Sequence, residues 1–392
     1  MSTPISNQTP VFQAQWLQEQ SGDPPGFVNC CKKIFKAVFD VLSIVIFPIG
    51  LIRLTIWWIK DRAFALAICP GKVDQYKLQY EGICGFIKKF IYTLYSPNWI
   101  KSDMTQVGNL LKETHRGEAV RYKSPDGAEI DGVFIPGNRA REKVILYGFG
   151  NGMTWETSGD AVERLKPMGA SIMMINPRGV GESTGWRYGK GYALDIYSAY
   201  EYLINEKGID PQDILVMGNS MGGAYGACGA ALVQEKYPDK EISAINLRSF
   251  ATLHHEVQSV LDGSGVVPFL LRTLSKGVGF DMNVQEAWDK LKGKKVIWYH
   301  QKDQVIPYET ASLAKSVKES RSTQTKIVSM HHHFEDAEMW PADLIRIGFY
   351  HNRPFCSKEQ KFLYDQIGEI LGIEPSAEPE EFRCLHPVQL EA

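Results

Sequence analysis

No excess of charge of either sign marks this chain: 43 lysines and arginines stand against 45 aspartates and glutamates, a formal net charge of −2. That balance excludes a global attraction to nucleic acid or to an anionic bilayer, so no nucleic-acid partner is expected and any membrane contact must be local. Cysteine is scarce. Seven residues with no C-x-x-C pair and no regular spacing build neither a disulfide framework nor a zinc site, and they point to a reducing, cytoplasmic compartment. Long apolar runs are missing as well. The most apolar core, Val41 to Ile52, spans 12 residues, is broken by Pro48 and Gly50, and is flanked by Asp40 and Arg53, so a simple membrane-spanning helix is not supported. The opening MSTPISNQTPVFQAQWLQEQ lacks the basic start and apolar core of a secretory signal, and classical export is not expected.

What is present divides the chain. At 392 residues it exceeds one small core, and a main domain of roughly 250 residues with an appended region is the natural expectation. Residues 1–26 are polar, close on Pro24-Pro25-Gly26, and read as a flexible lead-in. Residues 27–116 read as an apolar helical extension. Within it Lys36, Asp40 and Ser43 fall on one helix face and Phe35, Val38, Phe39, Leu42 and Ile46 on the other. Two readings stay open: residues 27–68 lie on a membrane surface, aided by acylation of Cys30 or Cys31, or they pack on the catalytic domain. The acidic, proline-containing stretch 374–392 reads as a flexible tail.

From Gly117 the pattern changes to alternating strands and helices. GEAVRYKSPDGAEIDGVFIPG predicts two strands joined at Ser124-Pro125-Asp126-Gly127. Apolar runs follow at 144–147, 171–175, 214–217, 242–247, 296–299 and 325–330, mostly separated by helix-length segments. This alternation predicts an α/β class domain over 117–373, a mainly parallel sheet covered by helices on both faces. The connection at about 249–293 exceeds an ordinary loop and reads as a helical cap insert. Its Val266, Val267, Phe269, Leu270 and Leu271, with Met221 and Trp155, suit either an acyl pocket or plain helix packing.

The strongest motif is ILVMGNSMGGAYGA, in which Gly218-x-Ser220-x-Gly222 follows a buried-strand pattern and opens a small-residue helix. A sharp strand-to-helix turn of this kind lifts the Ser220 hydroxyl above the sheet and aims the Met221 amide at a developing oxyanion. A serine hydroxyl needs a base to take its proton and a carboxylate to orient that base. Both follow in chain order: Asp303 in KKVIWYHQKDQVIPYETA, then one of His331, His332 and His333 after the run TKIVSM. His333 is preferred because 331 and 332 fill the approach from strand to loop, with His332 the runner-up. The glycine-rich stretch GFGNGMTWE after the strand at 144–147 supplies the second oxyanion donor, assigned to the Asn151 N–H. That stretch lacks the Lys-Ser/Thr of a phosphate-binding loop, and three consecutive histidines rarely converge on one ion, so neither cofactor nor metal is expected.

The order GFGNG, NPRGVGESTG at 176–185, GNSMGG, and QKDQVIP with HHHFE resembles the α/β-hydrolase superfamily, in particular its bacterial lysophospholipase-like branch. The resemblance implies the α/β-hydrolase fold, a serine hydrolase acting on a small-molecule or lipid acyl ester or thioester, and structural roles for Arg178 and Ser183. Phe149-Gly150 stands where that family usually has His-Gly. An apolar extension joined to such a domain also resembles the chlamydial CHLPS-type proteins and the SidB-like hydrolases of Legionella, which implies an effector delivered to a host cell. A peptidase of the same fold and a catalytically silent, membrane-associated scaffold are the competing functions.

Overall fold

The computed structural model describes residues 12–13, 98–139, 141–253, 282–320, 324–330 and 349–376. The lead-in beyond 12–13, the extension before 98, most of the cap and the histidines at 331–333 lie outside the described residues.

The strands are β1 (Phe12–Gln13), β2 (Glu118–Lys123), β3 (Glu129–Ile135), β4 (Val144–Gly148), β5 (Ser171–Asn176), β6 (Ile214–Asn219), β7 (Ala244–Leu247), β8 (Lys295–Tyr299) and β9 (Thr325–Ser329). The helices are α1 (Asn98–His115), α2 (Gly159–Leu165), α3 (Gly189–Asn205), α4 (Met221–Lys236), α5 (Val284–Lys290), α6 (Leu313–Ser320), α7 (Phe349–Asn352) and α8 (Ser357–Leu371). One sheet runs in the order β1-β2-β3-β5-β4-β6-β7-β8-β9. Strands β5 to β9 with β4 are parallel, whereas β2 and β3 form an antiparallel hairpin and β3 pairs antiparallel with β5. The hairpin turn falls at the predicted residues: Gly127 takes a φ of 91°, and its N–H donates to the Ser124 carbonyl at 2.8 Å.

Every residue of β4 and β5 is buried, as a sheet covered on both faces requires. Successive side chains leave a strand on opposite faces, so β4 feeds two cores. Val144 and Leu146 join Tyr192, Ile196, Tyr200 and Leu203 of α3, Ala224 of α4, and Leu313 of α6. Ile145 and Tyr147 join Val162 and Leu165 of α2 with Leu363, Ile367 and Leu371 of α8. The parallel order reverses at β4: the chain steps outward to β5, then returns to β6 on the other side. Such a reversal opens a crevice at the carboxyl ends of the strands, where α/β sheets bind ligands. Beyond the last helix, Ser376 donates N–H and Oγ to the Pro167 carbonyl at 2.7 and 2.9 Å, so the tail's first residues are bonded to the domain. Among the described residues no helix is long and apolar enough to cross a membrane.

Candidate active site

At the reversal, Gly148 of β4 sits in register with Gly218 of β6. Ser220 follows β6 with φ 53° and ψ −121°, a positive-φ backbone that a residue with a side chain adopts only under constraint. The constraint is visible: a Cβ on Gly218 would stand 2.4 Å from the Gly222 carbonyl carbon, and one on Gly222 would stand 2.2 Å from that of Gly148. Glycine at both places lets β4, β6 and the start of α4 approach backbone to backbone. The Ser220 N–H donates to the Leu247 carbonyl at 2.7 Å, and its hydroxyl caps no helix N–H. The residue keeps 8% of its surface exposed. Met221 follows as the first residue of α4, so its N–H has no intrahelical acceptor.

Across from the elbow runs the loop after β4. The Phe149 N–H donates to Tyr225 Oη at 2.8 Å, tying the loop to α4. Phe149 itself is buried against Tyr147, so an apolar ring occupies the position where the resemblance implies histidine. A Cβ on Gly150 would lie 3.9 Å from Ser220 Cβ, which measures how near the loop passes. Asn151 comes next and is exposed.

On the other side, Asp303 follows β8 and is 6% exposed. Its Oδ1 accepts the Val305 and Ile306 N–H groups, both at 2.9 Å, and its Oδ2 lies 2.8 Å from His351 Nδ1. The contact turns Nδ1 toward the carboxylate and leaves Nε2 on the far side of the ring. His351 is 4% exposed. The histidine expected to meet Asp303 was His333, which lies outside the described residues along with His331 and His332. Both Asp303 oxygens are engaged by the three partners just named, and the imidazole among them is that of His351. Sequence reasoning took the first histidines after β9, whereas His351 stands about twenty residues beyond that strand, in the short helix α7. The overlooked signal is its place immediately before the last long helix, α8. Tyr350 beside it stacks on His300, centroids 4.4 Å apart, and Arg353 beyond it pairs with Glu359 of α8 at 2.7 Å.

Behind the loop after β4 lies a buried acidic pair. Asn176 Nδ2 donates to Asp131 Oδ2 at 3.0 Å and to Glu156 Oε2 at 3.1 Å, bridging two carboxylates. Burial pushes Glu156 up to about 7, and burial likewise raises Asp131. Trp155 is held here too: its indole N–H donates to Asp131 Oδ2 at 2.9 Å, and it packs beneath Gly108 of α1. Of its two sequence readings, packing is the one observed. Arg178 is buried between Asp195 at 2.8 Å and Asp126, and Ser183 Oγ donates to the Asn176 carbonyl at 2.6 Å. Both brace the turn that follows β5. Among the described residues no group of three histidine, cysteine or acidic side chains is gathered to hold a metal ion.

No family model matches the chain. It is 35% identical over 124 residues to a multifunctional-autoprocessing repeats-in-toxin protein of Vibrio vulnificus, covering 31% of this chain and 2% of that protein. It is 32% identical over 162 residues to the alpha/beta hydrolase domain-containing protein WAV2 of Arabidopsis thaliana, covering 39% and 47%. The chain thus spans less than half the length of either relative. Among solved structures, an alpha-beta hydrolase from Vibrio vulnificus superposes with a TM-score of 0.48 at 17% identity, covering 68% of this chain and 93% of that one. In its strand order and its glycine-flanked serine turn the described domain has the arrangement of an α/β-hydrolase fold, and over the shared stretch its sequence is similar to WAV2.

Proposed function

We propose that the chain is a serine hydrolase that cleaves an acyl ester or thioester through Ser220, His351 and Asp303. The observation that carries this reading is the Asp303 Oδ2 to His351 Nδ1 contact of 2.8 Å, two strands from a serine held at φ 53°. Strands in a sheet lie about 4.8 Å apart, so the ends of β6 and β8 are roughly 10 Å apart across β7, a gap that one imidazole and two short side chains span. Ser220 Oγ attacks the carbonyl carbon while His351 Nε2 takes its proton. Asp303 holds the imidazole in the required tautomer and stabilises the imidazolium, and the amides of Met221 and Asn151 receive the oxyanion. His351 then protonates the leaving group, and water repeats the sequence on the acyl-enzyme. His351 replaces His333 in this reading because it is the imidazole that Asp303 orients.

The substrate class, small-molecule or lipid acyl groups, follows from the motif resemblance and the apolar residues of the extension and cap. The membrane surface read into residues 27–68, and delivery into a host cell, belong to the same proposal. A fluorophosphonate probe tests it: wild type is labelled and Ser220→Ala is not. Equal labelling of both, or none of either, removes the triad and leaves the scaffold reading. Turnover of aminoacyl amides in preference to acyl esters would make the chain a peptidase instead.

A further inference from the structure

Arg248 combines two features that need a reason. It follows β7 with a φ of 53°, and its guanidinium is buried. Buried charges persist where they are paired or hold something in place, and strained backbone persists where the surroundings demand it. The residue's surroundings are the three segments of the proposed triad. The Leu247 carbonyl, one residue before it, accepts the Ser220 N–H at 2.7 Å. Arg248's own N–H donates to the Trp298 carbonyl at 2.8 Å, in the strand that leads to Asp303. Its Nη1 donates to the Arg353 carbonyl at 2.8 Å, two residues past His351. The guanidinium carbon lies 5.6 Å from the centre of the Phe355 ring, and Nε meets no acceptor among the described residues. Burial pushes the Arg248 pKa down to about 10, the Asp303 carboxylate opposes that fall, and the side chain stays charged at neutral pH.

We propose that Arg248 is the positioning residue for His351: its guanidinium pins the chain that carries the histidine to the end of β7, the same point to which the Ser220 elbow is bonded. The inference rests on the Ser220–His351–Asp303 reading and adds to it the device that sets nucleophile and base in common register. The strained φ aims the side chain away from the strand's own pleat toward residues 351–355. Lysine fits the charge but not the planar fork that meets both the carbonyl and the Phe355 face.

The test uses the full chain with a fluorophosphonate probe and a short-chain nitrophenyl ester. In Arg248→Ala, labelling rate and kcat fall roughly tenfold to a hundredfold, KM stays within about twofold, and added ethylguanidinium restores a several-fold part of the loss. Arg248→Lys, which keeps the buried cation, remains folded and shows a kcat loss with KM unchanged. Wild-type kcat in a folded Arg248→Ala or Arg248→Lys overturns the inference, as does a loss that ethylguanidinium leaves untouched. A wild type that the probe does not label fails the triad reading itself and takes this inference with it, an outcome distinct from a labelled wild type indifferent to Arg248.

Discussion

The serine side and the histidine side of the site are built by different means. Around Ser220 the backbone does the work: Gly218 and Gly222, two positions either side of the serine, meet each other and Gly148 of β4 without side chains, and the serine stands at a φ of 53° between them. Around His351 side chains do the work, through Asp303, the stack of Tyr350 on His300, the Arg353–Glu359 pair and the Arg248 tie. A backbone device is local and leaves a motif; a side-chain device joins residues far apart in the chain and leaves none.

The sharpest way to break this contrast is to remove each histidine in turn. His351→Ala is expected to lower kcat/KM on an acyl ester by about 10³-fold or more, while His333→Ala stays near wild type. A large loss in His333→Ala with activity kept in His351→Ala would return the base to the first loop after β9. Next in size is the turn after β5. Arg178→Ala leaves Asp195 buried without its partner and is expected to destabilise the fold by about 3–5 kcal/mol, read as a lowered denaturant midpoint with an unchanged slope. On the serine side, Gly222→Ala forces a Cβ against the Gly148 carbonyl, and a loss of roughly 2–4 kcal/mol is expected together with loss of probe labelling. Retained labelling in that variant would mean the elbow tolerates a wider turn.

The smallest effect concerns Glu156. Its folded pKa is raised from 4.5 to about 7, so the folded state holds the proton more tightly than the unfolded chain. The stability this gives is complete below the unfolded value and is lost as pH rises from 4.5 to about 7. Chemical denaturation across that window is expected to show wild type losing on the order of 2–3 kcal/mol more than Glu156→Gln. Parallel pH profiles for the two proteins would show that the Asn176 hydrogen bond holds Glu156 ionised instead.

Most of the scaffold was legible because strand burial writes itself into runs of apolar residues. The segments read at 144–147, 171–175, 214–217, 296–299 and 325–330 are β4, β5, β6, β8 and β9 to within about two residues, and 242–247 shortens to β7, Ala244–Leu247. Asp303 was legible as an acidic residue in the loop after a buried strand. Trp155 was not legible as a hydrogen-bonded packing residue, because Asp131 and Gly108, which hold it, come from β3 and α1.

The sequence by itself determined the α/β sheet and the serine turn, since one rests on periodicity and the other on glycines two positions either side of Ser220. Only the tertiary structure decided which imidazole stands against Asp303 and that Arg248 joins the three loops. Hydrogen bonds between residues 48 and 105 positions apart follow no local spacing; they exist because β7, β8 and the segment before α8 end at one edge of the same sheet.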